Sequence, residues 1–166
     1  MTFSPRLKTI TWVLALSLFF SGQASLARAG ELLGRTVKVM DGDSLMVRGE
    51  GKKWEVRLFG IDCPEWDQPF GREAREATAS LALNRDVLVE ARGRDQYGRV
   101  LGVVRLPNGG VLNRELVRRG LAWWFRQFDS RDRALQDLEK QARKKKVGLW
   151  ADGSPVPPWD WRRRRR

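Results

Sequence analysis

Five short segments of the chain alternate between apolar and polar residues or are mostly apolar, and each is rich in β-branched or aromatic side chains. This pattern predicts β-strands over residues 35–40, 44–48, 54–61, 87–91 and 100–106. Turn-forming residues follow the second and fifth strands, and Asp41-Gly42 is a candidate for a tight hairpin turn between the first two. Strands in this order predict hairpins and therefore antiparallel pairing.

Three segments show helical patterns. In the first, over about residues 71–84, apolar and charged residues fall on opposite faces. The second is short, with Asn113 as its expected N-cap and Gly120 as its end. The third is predicted over about residues 130–147, and its basic C-terminal end suits the negative end of a helix dipole.

The order of these elements predicts an α+β fold that is mainly β. One helix follows the third strand and the other helices come at the end, so no strand-helix alternation repeats as it would in a doubly wound sheet. Five short strands fit a small closed barrel better. We therefore expect a five-stranded OB-fold-like barrel with three helices.

The two ends of the chain differ in composition from the rest. Arg6 and Lys8 precede an apolar run at residues 10–20, and Ala27-Arg28-Ala29 resembles a cleavage site, so residues 1–29 are predicted to be a signal peptide. An uncleaved anchor is the alternative, although the run is about half the ~20 residues that a membrane span needs. We expect no stable membrane span after processing, and a secreted or periplasmic protein.

The region from residue 30 to 150 is predicted to be one domain. Residues 151–166 are rich in Pro, Trp and Arg and are expected to form a mobile tail. A monomer is the default expectation for a domain of this kind.

The formal net charge of +12 favours a polyanionic partner, either nucleic acid or an anionic membrane surface, and the tail arginines can add contacts to it. The chain has no histidine, which excludes Ser-His and Cys-His nucleophile pairs and His-ligated zinc. Cys63 is the only cysteine, so the chain has no internal disulfide, and no imidazole is available to activate its thiol. Hydrolysis by this chain would depend on carboxylates, a metal and arginine.

Three short motifs carry candidate chemistry: Asp41-Gly42-Asp43, the run from Arg57 to Glu65, and Asp95-Gln96-Tyr97-Gly98-Arg99. Taken alone, the first is more typical of a turn than of a site. Period-two alternation, however, places Arg57 on the face opposite the apolar side chains of its strand. A hairpin can bring Asp43 beside Asp62, and two carboxylates with a backbone carbonyl and waters suit calcium, with magnesium or manganese less favoured.

Together these motifs resemble the signature of the thermonuclease, or staphylococcal-nuclease-like, family, in its order and approximate spacing, over about residues 34–150. The resemblance implies that Asp43 and Asp62 bind calcium and that Cys63, where threonine is frequent in the family, contributes its backbone carbonyl. It implies an exported calcium-dependent nuclease that hydrolyses DNA and RNA with little sequence preference and leaves 3′-phosphates.

The resemblance also implies roles in catalysis and substrate binding. Arg57 and Arg99 would hold the scissile phosphate, and Glu65 would orient or deprotonate the attacking water. Phe128 lies where relatives carry aromatic residues that contact the nucleotide, whereas Tyr97 either contacts substrate or shapes its turn. We expect Trp123 or Trp124, in the same aromatic segment, to be buried.

Two other functions are compatible with the residues alone. One is a non-catalytic OB-like nucleic-acid-binding module, which would keep the basic groove and lose the chemistry. The other is an envelope-surface protein whose tail, Arg162 to Arg166, binds anionic lipid. The complete set of acids and arginines favours the nuclease over both.

Overall fold

The structure of the protein, a computed structural model, describes residues 30–165. The predicted signal peptide lies outside the described residues. Within them, no helix is long and apolar enough to span a bilayer.

All five predicted barrel strands are present, with shifted ends. They are β1 (Glu31–Val39), β2 (Ser44–Gly49), β3 (Lys52–Leu58), β5 (Asp86–Arg94) and β6 (Val100–Arg105). They form a closed barrel in the order β1-β2-β3-β6-β5. The expected α+β, mainly β, OB-fold-like barrel is therefore confirmed.

One pairing in this barrel differs from the prediction of antiparallel hairpins. Strand β3 pairs with β6 in parallel, with Arg57 beside Leu101, and this contact closes the barrel. The other four pairings are antiparallel. Short turns dictate only the pairing of neighbours in sequence, whereas barrel closure depends on strands far apart along the chain.

The alternation within β3 explains how the barrel directs side chains. Val56 and Leu58 are fully buried in the core, whereas Arg57 between them points to the opposite face. Burial of such branched side chains contributes about 1.5–3 kcal/mol each. The barrel core is formed mainly by Leu45, Val47, Val56, Leu58, Val87, Val89 and Val104.

The region predicted as one strand over residues 54–61 ends earlier and continues as a second element. After the turn at Gly60, which has a φ of 80°, the chain forms the two-residue strand β4, Ile61–Asp62. It pairs with β7, Trp123–Trp124, and both tryptophans are buried as expected. This small sheet fixes the backbone at Asp62.

The three predicted helices are α1 (Gly71–Ala82), α2 (Leu112–Arg118) and α3 (Arg133–Lys145). Asp132 caps α3 by accepting a hydrogen bond from the Leu135 N–H at 3.0 Å. The N-cap of α2 is Val111, so the prediction of Asn113 as the cap is wrong. Asn113 lies inside the helix, where its buried amide bonds the barrel instead.

The C-terminal segment also differs from the prediction. The sequence predicts a mobile tail over residues 151–166, whereas the structure places a fourth helix, α4 (Pro158–Arg164), against the domain. Trp159 packs edge-to-face on Trp123, with ring centroids 6.4 Å apart, and lies 5.4 Å from Phe125. Aromatic burial of this kind offsets the entropy of ordering the segment.

Candidate functional site

The eight residues singled out by the sequence line one open cleft of about 670 Å³ on the outer face of the barrel. They come from the β1–β2 turn, from β3 and β4, from the β5–β6 turn and from the segment after β7. Their roles stay predictions, but the structure brings all of them together: Asp43, Arg57, Asp62, Cys63, Glu65, Tyr97, Arg99 and Phe128.

The turn between β1 and β2 presents Asp43 to the cleft. Asp41 accepts a hydrogen bond from the Asp43 N–H at 3.0 Å, as expected of an Asx-type turn. Gly42 lies so close to the rest of the fold that an added Cβ would be 2.6 Å from the Cβ of Cys63. Its carbonyl accepts a hydrogen bond from the Thr78 hydroxyl on α1 at 2.6 Å. The Asp41-Gly42-Asp43 segment therefore forms a turn, as its composition suggests, and also holds Asp43 rigidly at the cleft.

Asp43 and Asp62 are buried carboxylates, 3% and 1% exposed, that face the same arginine. Arg57, whose side chain is 12% exposed, pairs with Asp43 through Nη1 and with Asp62 through Nη2, the latter at 2.7 Å. Asp43 also accepts a hydrogen bond from the Cys63 N–H at 2.7 Å. Buried charges are tolerated only when paired and hydrogen-bonded, so these contacts explain how two acids persist at this depth.

Glu65 lies further out, at the mouth of the cleft. Its backbone N–H donates to the Gln68 side-chain oxygen at 3.1 Å, and its carbonyl accepts from the Gln68 N–H at 3.0 Å. The same carbonyl approaches Gly71, where an added Cβ would lie only 1.8 Å away. The turn that carries Glu65 is thus tightly fixed, while its carboxylate stays partly open to solvent.

Arg99 reaches the cleft from the turn between β5 and β6. Asp95 accepts hydrogen bonds from the Arg99 N–H at 3.0 Å and from Nε at 2.7 Å. Burial raises the pKa of the Asp95 carboxyl, but the bonds from Arg99 and from the Tyr97 N–H lower it by more, so its net pKa is below the ordinary value. Asp95 therefore orients Arg99 as a charged carboxylate.

The two predicted substrate-binding aromatics occupy different environments. Tyr97 is 74% exposed, and its ring centroid lies 5.6 Å from the Arg99 guanidinium carbon. Phe128 stacks on Phe59, with ring centroids 5.5 Å apart, and contacts Phe125 edge-to-face. Tyr97 therefore offers an open face to a ligand, whereas Phe128 is half-buried and lines the cleft wall.

Cys63 is buried, and burial raises the pKa of its thiol well above the ordinary value. A neutral thiol is a poor nucleophile and a poor ligand, so thiol chemistry is disfavoured here, as the sequence predicts.

We expect Cys63 to react with iodoacetamide at pH 8 at least about 100-fold more slowly in the native protein than in urea, because the thiolate fraction and access are both reduced. Mass spectrometry of quenched samples gives the two rates. Native-state labelling as fast as that of the unfolded chain would contradict the buried, protonated thiol.

The donor set of the cleft fits a hard cation. Carboxylate oxygens of Asp43 and Asp62 face one point, where a guanidinium now neutralises them. Within residues 30–165 there is no group of three or more acidic or cysteine side chains with metal-ligand spacing. A cation here would bind these two carboxylates and take its other ligands from backbone carbonyl and water, which suits calcium better than zinc.

The sequence predicted no role in this site for one of the three arginines that line the cleft. Arg162, on α4, reaches into it and pairs with Asp62 and Glu65. Partial burial lowers the pKa of this guanidinium, but the bonds and charges of the two acids raise it by more. The only signal in the sequence is the run of five arginines, in which no position stands out.

Comparisons with known proteins agree with the geometry. Residues 55–152 match the family described as staphylococcal nuclease homologue. An uncharacterized endonuclease of Escherichia coli is 42% identical over 135 residues, covering 81% of this chain and 88% of that protein. A micrococcal nuclease of Shigella flexneri is 38% identical, covering 78% and 80%. A staphylococcal-like nuclease of Arabidopsis thaliana is 37% identical, covering 69% of this chain and 35% of that protein.

Proposed function

The chain belongs to the family of staphylococcal nuclease homologues and is a phosphodiester-hydrolysing endonuclease, and on this premise we propose that it is calcium-dependent and cleaves both DNA and RNA. We further propose that it has little sequence preference and leaves 3′-phosphates. The observation that supports this most is the meeting of two buried carboxylates and an arginine in one open cleft.

Asp43 and Asp62 would hold the calcium ion, with the backbone carbonyl of Cys63 as a further ligand. When bound, the ion supplies positive charge that stabilises the extra negative charge on the attacked phosphate. The carboxylates are preorganised for this by the Cys63 N–H and by the β4–β7 pairing. The buried thiol of Cys63 takes no part.

The two arginines supply the rest of the positive charge. The Arg57 guanidinium already spans two oxygen atoms of different side chains, which is the forked geometry that phosphate oxygens need. Arg99 engages Asp95 through Nε, so its terminal amino groups are the donors directed to substrate. Strand β3 positions the Arg57 guanidinium, and Asp95 positions that of Arg99. Both groups therefore need little reorganisation during the reaction.

Glu65 would hold the attacking water and accept its proton. Its partly exposed carboxylate lies at the cleft mouth, and the Gln68 and Gly71 contacts fix its backbone. The attacked group is a phosphodiester, which every nucleotide carries, and the exposed ring of Tyr97 can stack on any base. Both features support weak sequence discrimination.

The decisive test uses purified residues 30–166 with plasmid DNA and single-stranded RNA. We expect degradation of both with calcium, none with chelator, and at least about a 100-fold lower rate for Glu65→Gln, because the general base is lost. Glu55→Gln, an exposed glutamate on the outer face of β3, is the matched control and should be unchanged.

Product ends test the proposed position of cleavage. Fragments with 3′-phosphates carry free 5′-hydroxyls, so polynucleotide kinase should label them without prior phosphatase treatment. Calcium-independent cleavage, or an active Glu65→Gln variant, would contradict the proposed mechanism. Salt-sensitive binding without cleavage under any divalent metal would instead indicate an OB-like binding module.

We also propose that the protein is exported and acts as a monomer, in the periplasm or outside the cell. The basic and apolar pattern of residues 1–29 supports export. N-terminal sequencing of the protein recovered from cell fractions would test this, and a mature chain that starts at Gly30 is the expected result.

A further inference from the structure

Helix α4 is held beside the segment that carries Glu65. Trp159 packs against Trp123, the Gln68 side chain donates a hydrogen bond to the Val156 carbonyl, and Trp161 Nε1 donates to Asp67 at 3.4 Å. Arg165 also pairs with Asp67. These contacts come from both ends of the C-terminal segment, so the position of the helix relative to the cleft is defined.

This docking places one arginine of the helix inside the cleft. The Arg162 guanidinium donates to Asp62 Oδ2 through Nη2 at 2.8 Å and to Glu65 Oε1 through Nη1 at 2.6 Å. A third, longer contact joins Nη1 to Asp62 Oδ1 at 3.4 Å. The Arg162 side chain is 42% exposed, so it bridges a buried acid and the open mouth of the cleft.

The two partners of Arg162 are the acids to which the proposed function assigns calcium and water. Asp62 already pairs with Arg57, and a cation that binds its oxygens must displace guanidinium groups from them. A displaced Arg162 is still tethered at the mouth by α4. The phosphodiester backbone of a bound nucleic acid would then compete with Glu65 for this guanidinium, because phosphate oxygens match its fork.

We propose that Arg162 is a third phosphate-binding arginine of the active site, which pairs with Asp62 and Glu65 in the cation-free protein and with a substrate phosphate in the calcium-loaded one. This inference rests on the proposed function, because the exchange requires calcium at Asp62. Calcium and nucleic acid then act on the same side chain. The ion breaks the pairing of Arg162 with the acids, and the phosphate forms a new pair with it.

Calcium binding without nucleic acid tests the first half of the exchange. Isothermal titration calorimetry of Arg162→Gln should show calcium binding about tenfold tighter than in the wild type, because a charge-assisted competitor has been removed. Arg163→Gln is the matched control, since Arg163 is one position along the same helix and pairs with Asp160 there. Its calcium affinity should equal that of the wild type.

Binding to a hydrolysis-resistant substrate tests the second half. Fluorescence anisotropy with a labelled phosphorothioate DNA oligonucleotide in saturating calcium should show about tenfold weaker binding for Arg162→Gln. The KM for unmodified DNA should rise by a similar factor, with a smaller change in kcat. Arg162→Lys keeps the charge without the fork and should fall between the wild type and Arg162→Gln in both measurements.

Three other outcomes overturn the proposal. Tighter calcium binding with unchanged oligonucleotide affinity would make Arg162 only an internal competitor of the cation. Weaker oligonucleotide binding with unchanged calcium affinity would remove the exchange, and no change in either would leave a purely structural contact. If the wild type binds the oligonucleotide but cleaves no DNA, the proposed function fails while the role of Arg162 is still decided by the binding data.

Discussion

Replacing Arg57 with alanine is expected to reduce kcat for DNA cleavage at saturating calcium by about 1000-fold, the largest catalytic effect we predict. Arg57 is the side chain that spans both buried carboxylates, so its fork lies where phosphate and cation would meet. Arg57→Lys keeps the charge but loses the paired donors, and should still be at least about 100-fold slower. Plasmid relaxation assays with calcium above its dissociation constant measure both variants.

A control must separate lost chemistry from lost structure. Arg105→Ala removes an exposed arginine on β6 that pairs with Glu90, and it should retain activity within about twofold. Arg57→Ala leaves Asp43 and Asp62 without their shared partner, so calcium-free samples should also lose about 3 kcal/mol of unfolding free energy. An Arg57→Ala enzyme that keeps more than a tenth of the wild-type kcat at saturating calcium would contradict the assigned role.

Replacing Asn113 with alanine is expected to lower the free energy of unfolding by about 3 kcal/mol or more, the largest effect on stability that we predict. Its buried amide accepts a hydrogen bond from the Val104 N–H at 3.0 Å and donates to the Phe59 carbonyl at 2.9 Å. It also donates to the Gly102 carbonyl at 3.2 Å. The variant leaves the Val104 N–H and the Phe59 carbonyl unsatisfied inside the fold, at about 1–3 kcal/mol for each, whereas the Gly102 carbonyl keeps a bond from the Phe59 N–H at 2.9 Å.

Urea denaturation followed by tryptophan fluorescence gives this value, with Asn108→Ala as the matched control. Asn108 lies in an exposed turn and accepts one hydrogen bond, from the Gly110 N–H at 3.0 Å. Its replacement should cost less than about 1 kcal/mol. A loss below 1 kcal/mol for Asn113→Ala would show that water or a shifted backbone satisfies the groups around it.

Sequence patterns predicted the parts of this molecule that depend on local physics. Alternation placed Arg57 opposite Val56 and Leu58, because a β-strand has a strict two-residue period. The helix over residues 71–84 was predicted nearly to its ends, because its apolar face is continuous. The cleft residues were found because chemistry restricts which side chains can hold a cation and a phosphate, and the motif order could be compared with a known family.

What the sequence did not reveal depends on contacts between distant residues. Asn113 looks like an N-cap because Asn favours that position, yet its amide instead joins α2 to β6 and to Phe59, the residue after β3. The C-terminal segment has the composition of a mobile tail. Trp159 nevertheless packs on Trp123 and Phe125, which are distant in sequence and therefore not predictable from local patterns. Arg162 is chemically identical to its neighbours, and only the orientation of α4 distinguishes it.

The parallel pairing of β3 with β6 has a consequence for the timing of activity. Arg57 lies on β3 and Arg99 directly precedes β6, with α1 and β5 between them in the chain. Pairing of this kind closes a long loop and is slow compared with hairpin formation. A newly made or partly unfolded chain therefore carries every residue of the cleft but not the cleft itself. We expect such a chain to be inactive on nucleic acid until the pairing of β3 with β6 closes the barrel.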